Sequence, residues 1–177
     1  MRATLRVLLA VGILVAGSAA GLLGIDGATA AATSGCDQFK WPIALEQAAL
    51  AAPATGPVAP GATVPADSGA RLKLVPFTEA KLALAPERPP KFSPSYAGAF
   101  ALDAPATAAV YKVTLSAGGW IDVVQGGKFL KPVNFSEATG CAARKSVKFR
   151  LAAESATLQI TGVGAPAPDI AIIVSPE

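Results

Sequence analysis

Trp120 and Asp122 stand two residues apart in Trp120-Ile121-Asp122-Val123-Val124-Gln125, a spacing that puts an indole and a carboxylate on one side of an extended chain. An indole beside a carboxylate suits a sugar: the ring offers a flat apolar face and the carboxylate accepts bonds from hydroxyls. Glycoside hydrolysis would need a second carboxylate facing the first. The plainer reading of Asp122 is a solvated strand residue. A second constellation is basic. Arg144, Lys148 and Arg150 share one side of an alternating segment with Ser146, a stripe that can meet an anionic polymer or lipid headgroup, or simply face solvent. Trp120, Asp122, Arg144, Lys148 and Arg150 are therefore the candidate ligand-binding residues.

Most other chemistry is excluded by residue type. The 177 residues contain no histidine, which removes the commonest general base, the commonest metal ligand and every Ser-His-Asp or Cys-His arrangement. Neither Ser-x-x-Lys nor Gly-x-Ser-x-Gly occurs. Gly162-Val163-Gly164-Ala165-Pro166-Ala167 fits a dinucleotide fingerprint in letters only, because Pro166 and Pro168 forbid the helix whose N-terminus must meet the pyrophosphate. It reads as a turn. Gly126-Gly127-Lys128 lacks the flanking residues of a phosphate loop, and the Asn134-Phe135-Ser136 sequon reads as coincidence. No catalytic residue, cofactor or metal site is expected, and the chain is not expected to be an enzyme.

The first thirty residues point to export. Arg2 and Arg6 precede an apolar run from Val7 to Ile25, and Ala28-Thr29-Ala30 supplies a small-x-small cleavage site. An uncleaved anchor is the alternative, since the run is long enough to span a bilayer, but its glycines and alanines make it a weak one. A lipid anchor on Cys36 would want a bulky aliphatic residue where Thr33 stands. Cleavage gives a periplasmic or secreted protein with no stable membrane span. It also removes Arg2, Arg6 and Asp26, so the net charge falls from +3 to +2, too small a surplus for a nucleic-acid partner. In that compartment Cys36 and Cys141, the two cysteines of the chain, are expected to pair. The chain-entropy estimate for so long a loop is about 4–5 kcal/mol.

The elements that must position these residues follow from periodicity. Pro42 opens a short helix over residues 43–52, rich in alanine and leucine. Residues 53–69, with four prolines, read as a linker or surface strap, or as an ordered loop with one short strand. From Arg71 the period becomes two. Strands are expected at 71–74, 81–84, 95–102, 110–115, 120–125, 128–130, 144–151, 157–161 and 169–174, with Pro86–Pro94 breaking the sheet. Gly126-Gly127 marks a tight hairpin. Val147, Phe149 and Leu151 should point inward, with Ser146, Lys148 and Arg150 outward. Eight or nine short strands without intervening helices predict a mainly β protein: an antiparallel, jelly-roll-like β-sandwich over residues 70–177 with one short N-terminal helix in residues 31–52.

Tyr111-Lys112-Val113-Thr114-Leu115, Gly119-Trp120-Ile121-Asp122-Val123-Val124 and Leu158-Gln159-Ile160 together resemble the closing strands of pre-peptidase C-terminal-type domains, secreted bacterial β-sandwiches related in shape to carbohydrate-binding modules. The likeness covers about 65 residues as a pattern of strands and turns, and the whole chain is similar to uncharacterised exported proteobacterial proteins. It implies a sandwich and an extracytoplasmic setting but no activity. The first expectation is a non-catalytic binding or accessory module whose partner is a carbohydrate or an envelope protein. The competing ones are a structural subunit of an envelope assembly and a carboxylate-dependent enzyme acting on polysaccharide.

Overall fold

The computed structural model describes residues 35–165 and 168–177; the expected export signal lies outside the described residues. The described part begins with a helical turn at Gly35–Gln38 and helix α1 (Ala44–Ala51). It continues through β1 (Thr55–Val58), β2 (Thr63–Val64), β3 (Gly69–Lys73), β4 (Val75–Pro76), β5 (Ser95–Leu102) and β6 (Ala109–Leu115). The second half supplies β7 (Trp120–Gln125), β8 (Lys128–Phe129), β9 (Asn134–Glu137), β10 (Lys145–Leu151), β11 (Ala156–Gly164) and β12 (Asp169–Pro176). One sheet runs β1-β3-β12-β6-β10-β9 and the other β2-β5-β11-β7-β8, with β4 added to β5. The described residues form a β-sandwich with one short α-helix.

Both sheets are mixed, which departs from a purely antiparallel sandwich. The two parallel pairings, β1 with β3 and β2 with β5, both come from the proline-rich strap. Residues 53–69 thus give one short strand to each sheet. Prolines confine such strands to edges, where a missing N–H breaks no ladder.

Alternation explains the core. Leu72, Val113, Leu115, Val147, Phe149, Leu151, Ile172 and Val174 from one sheet meet Phe100, Leu102, Ile121, Val123, Leu158 and Ile160 from the other. Each fully buried aliphatic or phenyl side chain contributes about 1.5–3 kcal/mol. Ile173 points the other way and joins Phe39, Ile43, Leu50, Ala138 and Ala143 around the Cys36–Cys141 disulfide. The outer face of that sheet is therefore covered by α1 and its lead-in, and Ser146, expected outside, is fully buried there with its hydroxyl 2.8 Å from Thr114 Oγ1. Glu46 of α1, 1 % exposed, pairs with Lys112 of β6 and accepts a 3.1 Å bond from the Ser175 hydroxyl of β12.

Two local expectations change. Residues 81–84 form no strand: Leu82 and Leu84 are half-buried, but the segment crosses the face of the second sheet without entering a ladder. Its backbone is held instead by a side chain. Gln159 of β11 accepts from Ala83 N–H and Leu84 N–H at 3.1 and 3.3 Å and donates to the Leu84 carbonyl at 3.0 Å. Conversely, Asn134–Glu137, noticed in the sequence only as a sequon, is strand β9 at the sheet edge. Gly126 and Gly127 carry φ of +58° and +72°, the pair of left-handed residues that a tight hairpin turn requires.

Candidate ligand cleft at the open end of the sandwich

The two sheets do not end together. Beyond β10 the first sheet has β9, whereas beyond β7 the second has only the two residues of β8, which pair with Val124 and Gln125. Leu130 N–H reaches the Val123 carbonyl at 2.8 Å, and there the chain leaves the edge. The Trp120–Asp122 half of β7 is left as a free sheet edge. Opposite it, Phe135 and Glu137 of β9 are the cross-strand partners of Val147 and Lys145, so all four occupy the inward face. With no strand above them, a cleft of about 380 Å³ opens.

The cleft wraps round the edge of β7. Its walls are Trp120, Ile121 and Asp122 on one side and Phe135, Glu137, Lys145 and Val147 on the other, with Phe129 and Leu130 at the back. The lip is Pro86-Glu87-Arg88, placed there by the Gln159 bonds to the preceding loop. Phe135 is 54 % exposed, an unusual state for an inward phenyl ring and a direct result of the missing strand.

Charge is arranged around the indole. Lys145 Nζ lies 4.6 Å and the Arg88 guanidinium 4.9 Å from the Trp120 ring centroid, one cation from each side of the opening. Each contact contributes about 0.5–2 kcal/mol, more as water is excluded. Lys145 also pairs with Glu137 at 2.7 Å. Asp122 holds its proton above the ordinary 3.8, chiefly because burial disfavours the charged form, then because Glu87 is near; Lys145 works against both.

A second opening of about 690 Å³ lies on the other side of the same residues. It shares Trp120, Glu137 and Lys145 with the first and adds Arg144, Lys91, Gln38 and the Gly118-Gly119 turn.

The candidate residues read from sequence fall in four places. Trp120 and Asp122 stand together in the first cleft, and Arg144 lines the second. Lys148 lies against the covered face, its Nζ 4.3 Å from the Trp41 ring and paired with Glu177. Arg150 is exposed near the far end of β10, beside the Gly126 hairpin and Glu154. The expected stripe is thus divided by the N-terminal layer. Sequence reading missed Arg88, Phe135, Glu137 and Lys145. For Lys145 the signal was present: it shares parity with Val147, Phe149 and Leu151, so a lysine begins the apolar face. Among the described residues no helix is long and apolar enough to cross a membrane.

Comparison with protein-family models, with curated proteins and with solved structures gives no match.

Proposed function

We propose that this chain is an exported, non-catalytic binding module of a bacterial envelope, and that its ligand is a carbohydrate held in the cleft beside Trp120. The observation that supports the reading is the cleft itself. Its volume of about 380 Å³ falls within the usual range for small-ligand sites, and aromatic walls stand beside convergent polar groups. Phe135 offers an exposed ring for a sugar face, while Asp122, Glu87 and Arg88 surround it with hydrogen-bond partners for hydroxyls. The Cys36–Cys141 bridge agrees with an oxidising compartment.

Calorimetric titration with a panel of soluble oligosaccharides tests the proposal. At least one should bind, and Phe135→Ala should weaken it about tenfold while leaving the thermal midpoint nearly unchanged, since the ring is already exposed. No binding across the panel, or equal binding by the variant, overturns it.

The assembly-subunit reading draws on one feature. Val133 and Phe135, 52 % and 54 % exposed, lie on the edge-strand side of β9. Light scattering decides it: a monomer that captures no envelope partner removes this alternative.

A further inference from the structure

We infer that the second cleft is an anion subsite, receiving a carboxylate or phosphate group carried by the same sugar ligand whose ring lies in the first. The inference rests on the binding-module reading above and assigns the ligand its charge.

Charge separates the two openings. The first is balanced, with Arg88, Lys131 and Lys145 facing Glu87, Asp122 and Glu137. The second holds Lys91, Arg144 and Lys145 against Glu137 alone. That single carboxylate is already engaged by Lys145 at 2.7 Å. Among the described residues Lys91 and Arg144 enter no ion pair, so two cations face the opening without a counter-charge. In a recess walled by low-dielectric protein such a surplus is focused rather than dispersed, and it favours an anion.

The shape fits a group carried on a chain. Arg144 is half-buried and fixed at its backbone, its N–H donating to the Leu115 carbonyl at 2.8 Å, so its guanidinium projects from a rigid point. A planar guanidinium can meet a carboxylate or phosphate through two parallel hydrogen bonds. Gly118 leaves its backbone uncovered, since a Cβ built there would meet nothing within 4 Å, while Gly119 packs against Val163 and the Thr161 carbonyl. Because Trp120, Lys145 and Glu137 line both openings, a ligand leaving the neutral cleft crosses Lys145 directly into the basic one.

The test is calorimetry on the mature chain with three probes: trigalacturonate, neutral galactotriose and galactose 6-phosphate, at low and high ionic strength. Trigalacturonate or the phosphate sugar should bind about tenfold more tightly than galactotriose at low salt and lose that advantage at high salt. The paired variant Lys91→Gln with Arg144→Gln should abolish the advantage and leave galactotriose binding unchanged; Lys91→Arg with Arg144 intact should keep it. Whichever anionic probe loses more identifies the preferred group. If galactotriose binds as well as both anionic probes, or the preference survives the paired glutamine variant, the subsite is wrong while the binding-module reading stands. If no probe binds and the wider oligosaccharide panel also fails, both fall.

Discussion

Lys145 holds its ammonium 4.6 Å from the centroid of the Trp120 ring, so the first residue of β10 in one sheet closes over the first residue of β7 in the other. The contact spans the sandwich where no strand pairing does. Lys145→Met keeps the aliphatic stem and removes the charge. We expect a loss of about 1 kcal/mol in urea unfolding, and a coupling of similar size in a double-mutant cycle with Trp120→Leu. A coupling near zero would mean that the two residues are neighbours without mutual stabilisation.

Gln159 is fully buried and is the only described side chain that bonds the 83–84 backbone. Gln159→Leu leaves two N–H groups and one carbonyl without their partner, at a cost of about 2–3 kcal/mol. Hydrogen exchange should accelerate at Ala83 and Leu84 and remain unchanged across the Gly126-Gly127 hairpin. The same variant should weaken ligand binding, because Glu87 and Arg88 follow the loop. Unaltered exchange at 83–84 would show that the loop is held by other contacts.

Asp122 makes stability depend on pH in a defined direction. Its folded carboxyl keeps a proton above 3.8, the ordinary value at which the unfolded chain releases it. The folded state therefore binds more protons over the interval above 3.8, and stability falls as pH rises through it. Asp122→Asn should flatten that part of the profile and leave the protein at least as stable at neutral pH. Urea midpoints measured from about pH 4 to pH 7 read the slope directly. An identical slope in the variant would place the pH dependence elsewhere.

Glu46 is the polar anchor of the helical layer, paired with Lys112 and bonded by Ser175. Removing one member of a buried pair strands the other. Glu46→Ala should cost about 2–4 kcal/mol and lower Tm by roughly 6–12 °C. The combined Glu46→Leu, Lys112→Met variant should recover much of that loss, since apolar residues of similar volume can replace a buried pair. If the double variant is no better than Glu46→Ala, the ion pair and the Ser175 bond supply stability that apolar packing does not replace.

The sandwich was legible in the chain because alternation is a local property. Val147, Phe149 and Leu151 announce their face without reference to any partner, and Gly126-Gly127 between two strand patterns is a strong hairpin signal. The same reasoning could not tell a ladder strand from a loop with strand-like parity. Residues 81–84 alternate, yet they rest on Gln159, 75 or 76 positions away in sequence. The strap carried too many prolines to read as strand, although it pairs with both sheets at their edges.

By itself, the sequence determined the fold class, the pairing of its two cysteines and the pairing of Trp120 with Asp122 on one side of a strand. The fold class and the Trp120–Asp122 pair depend on residue type and short spacing; the cysteine pairing, across 105 residues, follows from there being two cysteines in a chain expected to be exported. Only the tertiary structure decided that Lys148 would be covered while Lys145 and Phe135 opened onto a cleft. The reason is the unequal width of the two sheets: β9 has no strand opposite it, and how far one sheet overhangs the other is a property of their packing that no single segment carries.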